Sequence, residues 1–259
     1  MTFNYRINST VMVNAARAKR VIIPEIAAGV RAAALPIAFR DGAYVSDEHS
    51  TDTKVVPMIV DLAGDTPSEI YTSYHNLMDL LYGGQKTLAK LDPQAGELEA
   101  EVFIAEETAH GTGATRQRLT FPTMFTRGYW QDAAFSIEVD NGLTTTGSIG
   151  PFTPGGSHRT YPKFTIECTA DGSNPAILEP VSGAKLTIAT ALVATDVIVI
   201  DVNDRVNGGV TLNGVRAKNL LDVNRGYWMR FLANVAHTLT WTATSGTWDV
   251  DTEWKDSYR

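Results

Sequence analysis

A single cysteine, Cys168, stands in this chain of 259 residues, so no intrachain disulfide can staple the fold. It sits in Phe164-Thr165-Ile166-Glu167-Cys168, where alternation places it on one face with Phe164 and Ile166, the position of a small buried hydrophobe. No sequence feature supplies the base that a nucleophile would need. Long apolar runs are missing as well. The most apolar early stretch, Ile26 to Phe39, carries Arg31 and Pro36 and is too short to cross a bilayer. No secretory signal is visible, so the sequon Asn8-Ser9-Thr10 has no consequence and no membrane insertion is expected. Neither G-x-S-x-G nor H-E-x-x-H occurs, no Cys/His cluster is present, and the five histidines lie far apart. These absences leave no catalytic, cofactor-binding or metal-ligating residues to nominate, and a hydrolase is disfavoured.

Basic charge is also scarce. The net charge of −7 argues against general nucleic-acid binding. Its distribution is uneven: residues 1–40 hold six basic groups and one acid, +5; residues 41–110 hold three and fourteen, −11; the remainder hold thirteen and fourteen, −1. The acidic middle reads as a solvated surface, or as a wall that repels DNA or meets the basic N-terminus of a neighbouring subunit.

Several local patterns imitate functional motifs. Asp201 to Gly208 superficially resembles a calcium loop, but its fifth position is Arg205 and its twelfth Leu212, where oxygen ligands are required. Gly111-Thr112-Gly113 lacks a third glycine, because residue 116 is arginine, and reads as a flexible loop. Asp249, Asp251 and Glu253 alternate on one face and could bind a cation. With Val250 and Thr252 opposite, they read better as the wet face of an edge strand.

Turn and strand signals are abundant. Val197 to Val202 is nearly all β-branched, Asn203-Asp204-Arg205 can reverse the chain, and Asn213-Gly214 between short apolar runs predicts a two-residue hairpin. Proline ends the strand Val21–Ile23 or confines it to an edge, and interrupts another at Pro57. Ala32–Phe39 reads as a strand running into the turn Arg40-Asp41-Gly42. One helix is expected over residues 67–82. Thr66-Pro67-Ser68-Glu69 is a capping box, Ile70, Tyr74, Leu77 and Leu81 form an apolar stripe widened by Tyr71 and Met78, and Gly83-Gly84 stops it. Strands are further expected around Thr87–Leu91, Leu98–Ala105, Leu119–Phe121 and Ala133–Val139, the last with Phe135, Ile137 and Val139 on one face. Between Gly142 and Gly156 seven residues are Gly or Pro, which suggests a linker over 146–160. From Tyr161 onward short strands recur with turns between them, the pattern of an antiparallel sandwich.

The order of these parts resembles the distal tail protein family of siphovirus-like bacteriophages. The resemblance is carried by Tyr161-Pro162 before a strand, Asn174-Pro175-Ala176-Ile177, Gly183 ahead of Leu186-Thr187-Ile188, Asp196 to Asp201, Arg205 and Asn213-Gly214. The aromatic run Tyr227 to Leu232 and the turn at Asn234 continue it, although Val235-Ala236-His237 replaces the Pro-Gly-Asn turn of many relatives. The N-terminal half fits through Arg40-Asp41-Gly42, the capped helix and the Phe135–Val139 strand. The resemblance implies a mainly β chain: an α+β N-terminal belt domain over 1–145, the linker, and a galectin-like sandwich over 161–259. It also implies a structural, non-enzymatic hub at the distal end of a virion tail, made in the host cytoplasm. In that family a hexameric ring joins the tail tube protein to tail-tip, tail-fibre or receptor-binding proteins, and DNA passes only through its lumen. Head-to-tail ring closure would pair Arg17, Lys19 and Arg20 of one subunit with Asp41, Asp47 and Glu48 of the next. A sugar-binding sandwich, with Trp228, Trp241, Trp248 and Trp254 as stacking platforms, is the alternative.

Overall fold

The computed structural model describes residues 5–13, 18, 20–23, 54–93, 95–111, 113–126, 128–202, 209–224 and 229–258. The chain divides into two compact units at residues 133/134.

The N-terminal unit is built on one antiparallel sheet. Its strands are β1 (Tyr5–Ile7), β2 (Thr10–Val11), β3 (Arg20–Ile22), β4 (Lys54–Ala63), β5 (Lys86–Asp92), β6 (Gly96–Ile104), β7 (Thr108–Gly111), β8 (Arg116–Phe125) and β9 (Trp130–Asp132). The main order is β2-β1-β5-β6-β8-β4-β3, with β7 on β8 and β9 on β6. The strand before Pro24 does lie at the end of this order. The proline at position 57, by contrast, does not break β4. Pro57 stands opposite Pro122 of β8 in the register. Neither residue can donate, so the pair occupies a site where antiparallel strands exchange no hydrogen bonds. Gly111, read as the start of a flexible loop, instead ends β7, paired with β8 from Thr108↔Thr120 to Gly111↔Gln117. The Ala32–Phe39 strand expectation lies outside the described residues.

The helix forms where the capping box places it. α1 spans Pro67–Leu81. The Thr66 side chain accepts from the Glu69 amide at 3.3 Å, while Glu69 Oε2 accepts from the Asp65 amide at 2.8 Å. Its C-terminal turn closes with the Tyr82 amide donating to the Met78 carbonyl at 2.8 Å, ahead of Gly83 and Gly84 at positive φ. Ile70, Ser73, Leu77, Met78 and Leu81 are buried on the face that packs against β4. Tyr71, expected to widen that stripe, is 65% exposed. At 100° per residue it falls beyond the edge of the face that Ile70, Leu77 and Leu81 define.

The C-terminal unit pairs two antiparallel sheets. Strands β10 (Ser136–Leu143), β12 (Lys163–Ser173), β16 (Val197–Asp201), β17 (Val210–Leu212), β18 (Val215–Arg216) and β21 (Ser245–Trp254) run in the order β10-β21-β12-β16-β17-β18, with β15 (Ala191–Leu192) on β12. The second sheet, β11-β20-β13-β14-β19, uses β11 (Thr146–Phe152), β13 (Ala176–Glu179), β14 (Ala184–Ile188), β19 (Leu221–Asn224) and β20 (His237–Thr242). Both sheets send alternate residues into one core. Phe164, Ile166, Ile198, Ile200, Trp248 and Val250 come from the first, and Ile149, Ile177, Leu186, Leu239 and Trp241 from the second. Across the layers Trp241 and Trp248 lie 5.8 Å apart by ring centroids, and Phe152 stacks on Trp254 at 4.7 Å. Mainly β structure with one amphipathic helix is therefore borne out.

Two sequence readings change here. Residues 146–152 are not connector but the strand β11, paired with β20, and the first strand of this unit starts before the Gly/Pro-rich stretch. The glycines shape strand irregularities: Gly150, at φ +92°, lies in the register shift between Ile149 and Phe152. Likewise β21 is no edge strand, since β10 and β12 flank it. Its Asp249, Asp251 and Glu253 do face outward, opposite the buried Trp248, Val250 and Thr252.

Candidate functional site

Of the residues that carried the resemblance, Asp196, Val197, Asn213 and Gly214 converge on one hairpin system. Asn213 and Gly214 take φ of 50° and 76°, and Leu212 pairs with Val215 across them. Both central residues of the two-residue turn thus have the positive φ that a type I′ turn demands. The Asn213 side chain then reaches back to the start of β16: its Nδ2 donates to Asp196 Oδ1 at 2.8 Å and its Oδ1 accepts from the Val197 amide at 2.9 Å. Asp196 also accepts from the Val193 amide at 2.9 Å. Asn213 and then Val193 hold its carboxyl below the usual range. Asn234 repeats the device at φ 60°, its amide donating to Pro154 at 2.7 Å and its side chain to Gly156 at 2.9 Å. Tyr227, Trp228 and Arg205 lie outside the described residues.

A buried polar pair pins the same unit. His237 and Glu179 have side chains 1% exposed, with Nδ1 3.3 Å from Oε1. Glu179 also accepts from the Val181 amide at 3.1 Å and the Ser182 amide at 2.5 Å. Burial pushes this carboxyl up, but the hydrogen bonds from Ser182, Val181 and His237 outweigh it and leave the pKa below the ordinary value. The Leu232 amide donates to His237 Nε2 at 3.0 Å. The Leu232 carbonyl lies 3.2 Å from the same nitrogen, so the tautomer decides which of the two Leu232 groups it engages. Every strong contact of the pair is internal, so its work is to fasten the Leu232 loop to β13.

In the N-terminal unit, Glu107 accepts from the hydroxyls of Tyr74, at 2.5 Å, and Tyr82. The Tyr74 and Tyr82 bonds hold the Glu107 carboxyl below its usual pKa, and the Glu107 bond pushes Tyr82 up to about 12. The carboxylate thereby ties both α1 and its C-cap to the connection after β6. A polar groove of about 890 Å³ at the start of α1 is lined by Thr66, Ser68, Glu69, Thr72, Thr115 and Arg116 among others. Glu69 is committed there to the helix cap.

Of the six residues nominated for a subunit interface, Arg17, Lys19, Asp41, Asp47 and Glu48 lie outside the described residues. Arg20 is exposed on β3, opposite Asp61 in the register. Asp61 in turn receives Arg118 in a bidentate pair at 2.7 and 3.1 Å. An acidic neighbour for Arg20 therefore exists within its own chain, which sequence reasoning missed. Only register brings residues 20, 61 and 118 together. Residues 203–208 of the calcium-loop look-alike lie outside the described residues. Cys168 is fully buried, and burial pushes its thiol pKa up. Among the described residues no group of three or more His, Cys, Asp or Glu could hold a metal ion, and no helix is long and apolar enough to cross a membrane. Trp241, Trp248 and Trp254 are all buried, which removes them as sugar-stacking platforms.

Comparison with known proteins gives this geometry a class. Residues 155–258 match the family described as the siphovirus-type tail component, C-terminal domain. The likeness to siphovirus-type tail components thus lies in the C-terminal unit. The whole chain matches the crystal structure of SPP1 Dit, described as a paradigm of the hub adsorption apparatus in phages infecting Gram-positive hosts. The TM-score is 0.66 at 12% identity, covering 100% of both chains. At that identity the likeness establishes a shared fold. A chain of the activated phage P2 baseplate with calcium follows at TM-score 0.41 and 12% identity, over 78% of this chain and 79% of that one, too slight to define a common fold. No curated protein matches. The resemblance to the distal tail (Dit) proteins read from the sequence is borne out.

Proposed function

We propose that this chain is the structural hub of a long-tailed phage tail tip. Subunits assemble as a hexameric ring that joins the tail tube to baseplate or tail-fibre proteins, and DNA crosses its lumen at ejection. The carrying observation is the correspondence of the whole chain with the SPP1 Dit fold, reinforced by the tail-component match of residues 155–258. On this reading the chain has no reaction to catalyse. It is made in the host cytoplasm and resides at the distal end of the virion tail, with the N-terminal unit as the ring-forming belt and the sandwich, galectin-like, on the outside.

A head-to-tail ring suits the charge split of the sequence, +5 over residues 1–40 against −11 over 41–110. In this scheme Arg17, Lys19 and Arg20 of one subunit face Asp41, Asp47 and Glu48 of the next. Negative-stain imaging with light scattering tests the hub: six-subunit particles with a central hole are expected, and a monomer at all concentrations would remove the reading. Salt and charge reversal of Arg17, Lys19 and Arg20 test the pairing separately. The ring is expected to loosen under both, and a ring indifferent to both would sink the pairing while leaving the hub intact.

A further inference from the structure

Ahead of and along β10, every second residue presents a large apolar side chain to solvent. Phe135 is 53% exposed, Ile137 53% and Val139 50%. Their orientation follows from register. Ile137 is opposite Glu253 and Val139 opposite Asp251 on β21, whose intervening Val250 and Thr252 are buried, so the stripe lies on the outer face of the sheet. Elsewhere among the described residues, exposed large hydrophobics do not recur at this spacing. Isolated ones such as Val181, Val193 and Val215 are ordinary for a protein surface. A stripe is different, because β10 is also the terminal strand of its sheet, and exposed apolar edges invite association.

The ground beside the stripe is acidic. Across the outer face, Ile137 is followed in register by Glu253, Lys163 and Asp201, and Val139 by Asp251, Thr165 and Val199. The next row holds Asp249, Glu167 and Val197. Five carboxylates thus share that face with Lys163, which is already joined to Glu253 at 2.5 Å. Lys163 and Lys255 sit over the Phe135 ring at 5.8 and 4.9 Å from its centroid, so positive charge is confined to one end of the stripe. A second copy of this chain laid face to face would set these carboxylates against their like. Neighbouring strands are about 4.8 Å apart. A segment seated over Ile137 and Val139 therefore brings lysine or arginine on its flank over Asp251 and Asp249.

We infer that the Ile137–Val139 stripe is a docking surface for a segment of another protein that presents apolar side chains flanked by lysine or arginine. The inference goes beyond the ring, since a chain that formed no ring would still carry this face. Its test is calorimetric titration of the full-length protein with a synthetic peptide in which a short valine run is flanked by lysines, and with the twin in which glutamate replaces lysine. The lysine peptide is expected to bind saturably, more weakly at high salt, and the glutamate twin not at all. Ile137→Ser with Val139→Ser, and separately Asp249→Asn with Asp251→Asn, should each weaken binding by about tenfold or more. Val215→Ser, at an exposed site on another strand, should leave it unchanged, and near-UV circular dichroism checks that each variant is folded. Three results would overturn the proposal: no binding by the lysine peptide, equal binding by its twin, or affinity unaffected in both double variants. Self-association of the wild type that Ile137→Ser with Val139→Ser abolishes would also overturn it, by assigning the stripe to a second copy.

Discussion

Among the described residues of the N-terminal unit one sheet, with the ten-residue strands β4 and β8 in it, packs against a single helix. In the C-terminal unit two sheets of seven and five strands bury their inner faces in each other. The first arrangement depends on one short element being held in place at both ends, by the Thr66–Glu69 cap and by the Tyr82 turn with its Glu107 tie. The second distributes burial over many strands, each adding two or three alternate side chains. Loss of one side chain should therefore open a cavity in the sandwich, whereas in the N-terminal unit the helix ends are the vulnerable points.

The largest effect that separates the units is expected from Trp248→Ala. Trp248 is fully buried, packs against Trp241 and gives its indole N–H to Ser245 at 3.2 Å. Truncation should cost the C-terminal unit about 3–5 kcal/mol, read by urea unfolding. Trp130, buried in the N-terminal unit against Phe125, should keep its near-UV signature at urea concentrations where the sandwich has already melted. Simultaneous loss of both signals would mean that the units unfold as one.

Next in size is Glu179→Gln, which leaves the Val181 and Ser182 amides and His237 with a neutral and geometrically poorer acceptor, at a cost of about 1–3 kcal/mol. The pH dependence supplies the sharper reading. Because the folded-state pKa of Glu179 is depressed, its contribution is present above the ordinary carboxylate pKa. It fades as pH falls from about 4.3 through the lower folded value. The difference in melting temperature between wild type and Glu179→Gln should shrink over that acid window. A difference independent of pH would show that the amide replaces the carboxylate by packing alone.

The smallest effect probes the helix. Thr66→Ala removes the acceptor for the Glu69 amide and should cost the N-terminal unit about 1 kcal/mol. The sandwich transition should not move. Hydrogen exchange at the start of α1 reads the loss locally, and faster exchange confined to the first turn is expected.

Legibility differed between the units for the same physical reason. Strands of the sandwich announced themselves because one buried face per strand forces apolar residues to alternate, as in Phe164-Thr165-Ile166 and Val197 to Ile200. The capping box and Asn213-Gly214 were equally readable, since cap and turn geometry is decided within a few residues. At Pro57 and in the Gly/Pro-rich stretch, where interruption was expected, sequence reading failed. Pro57 is tolerated because it stands where β4 and β8 exchange no hydrogen bonds, and residues 146–152 become a strand because β20 pairs with them. The three outward carboxylates of β21 looked like the wet side of an edge, yet strands about 80 and 110 residues away in sequence flank them.

What the amino-acid order determined by itself was therefore local: period-two burial, the capped helix, the turn types, and an inert cysteine without a base. Periodicity and caps depend on residues within one or two turns of each other, so they are written in the chain directly. Tertiary structure alone decided which strands stand at an edge, which aspartate faces Arg20, and whether Phe135, Ile137 and Val139 look into a core or out to solvent. Their alternation is the same in both cases. Only the register with Glu253 and Asp251, whose neighbours Val250 and Thr252 fill the core, turns that apolar face outward.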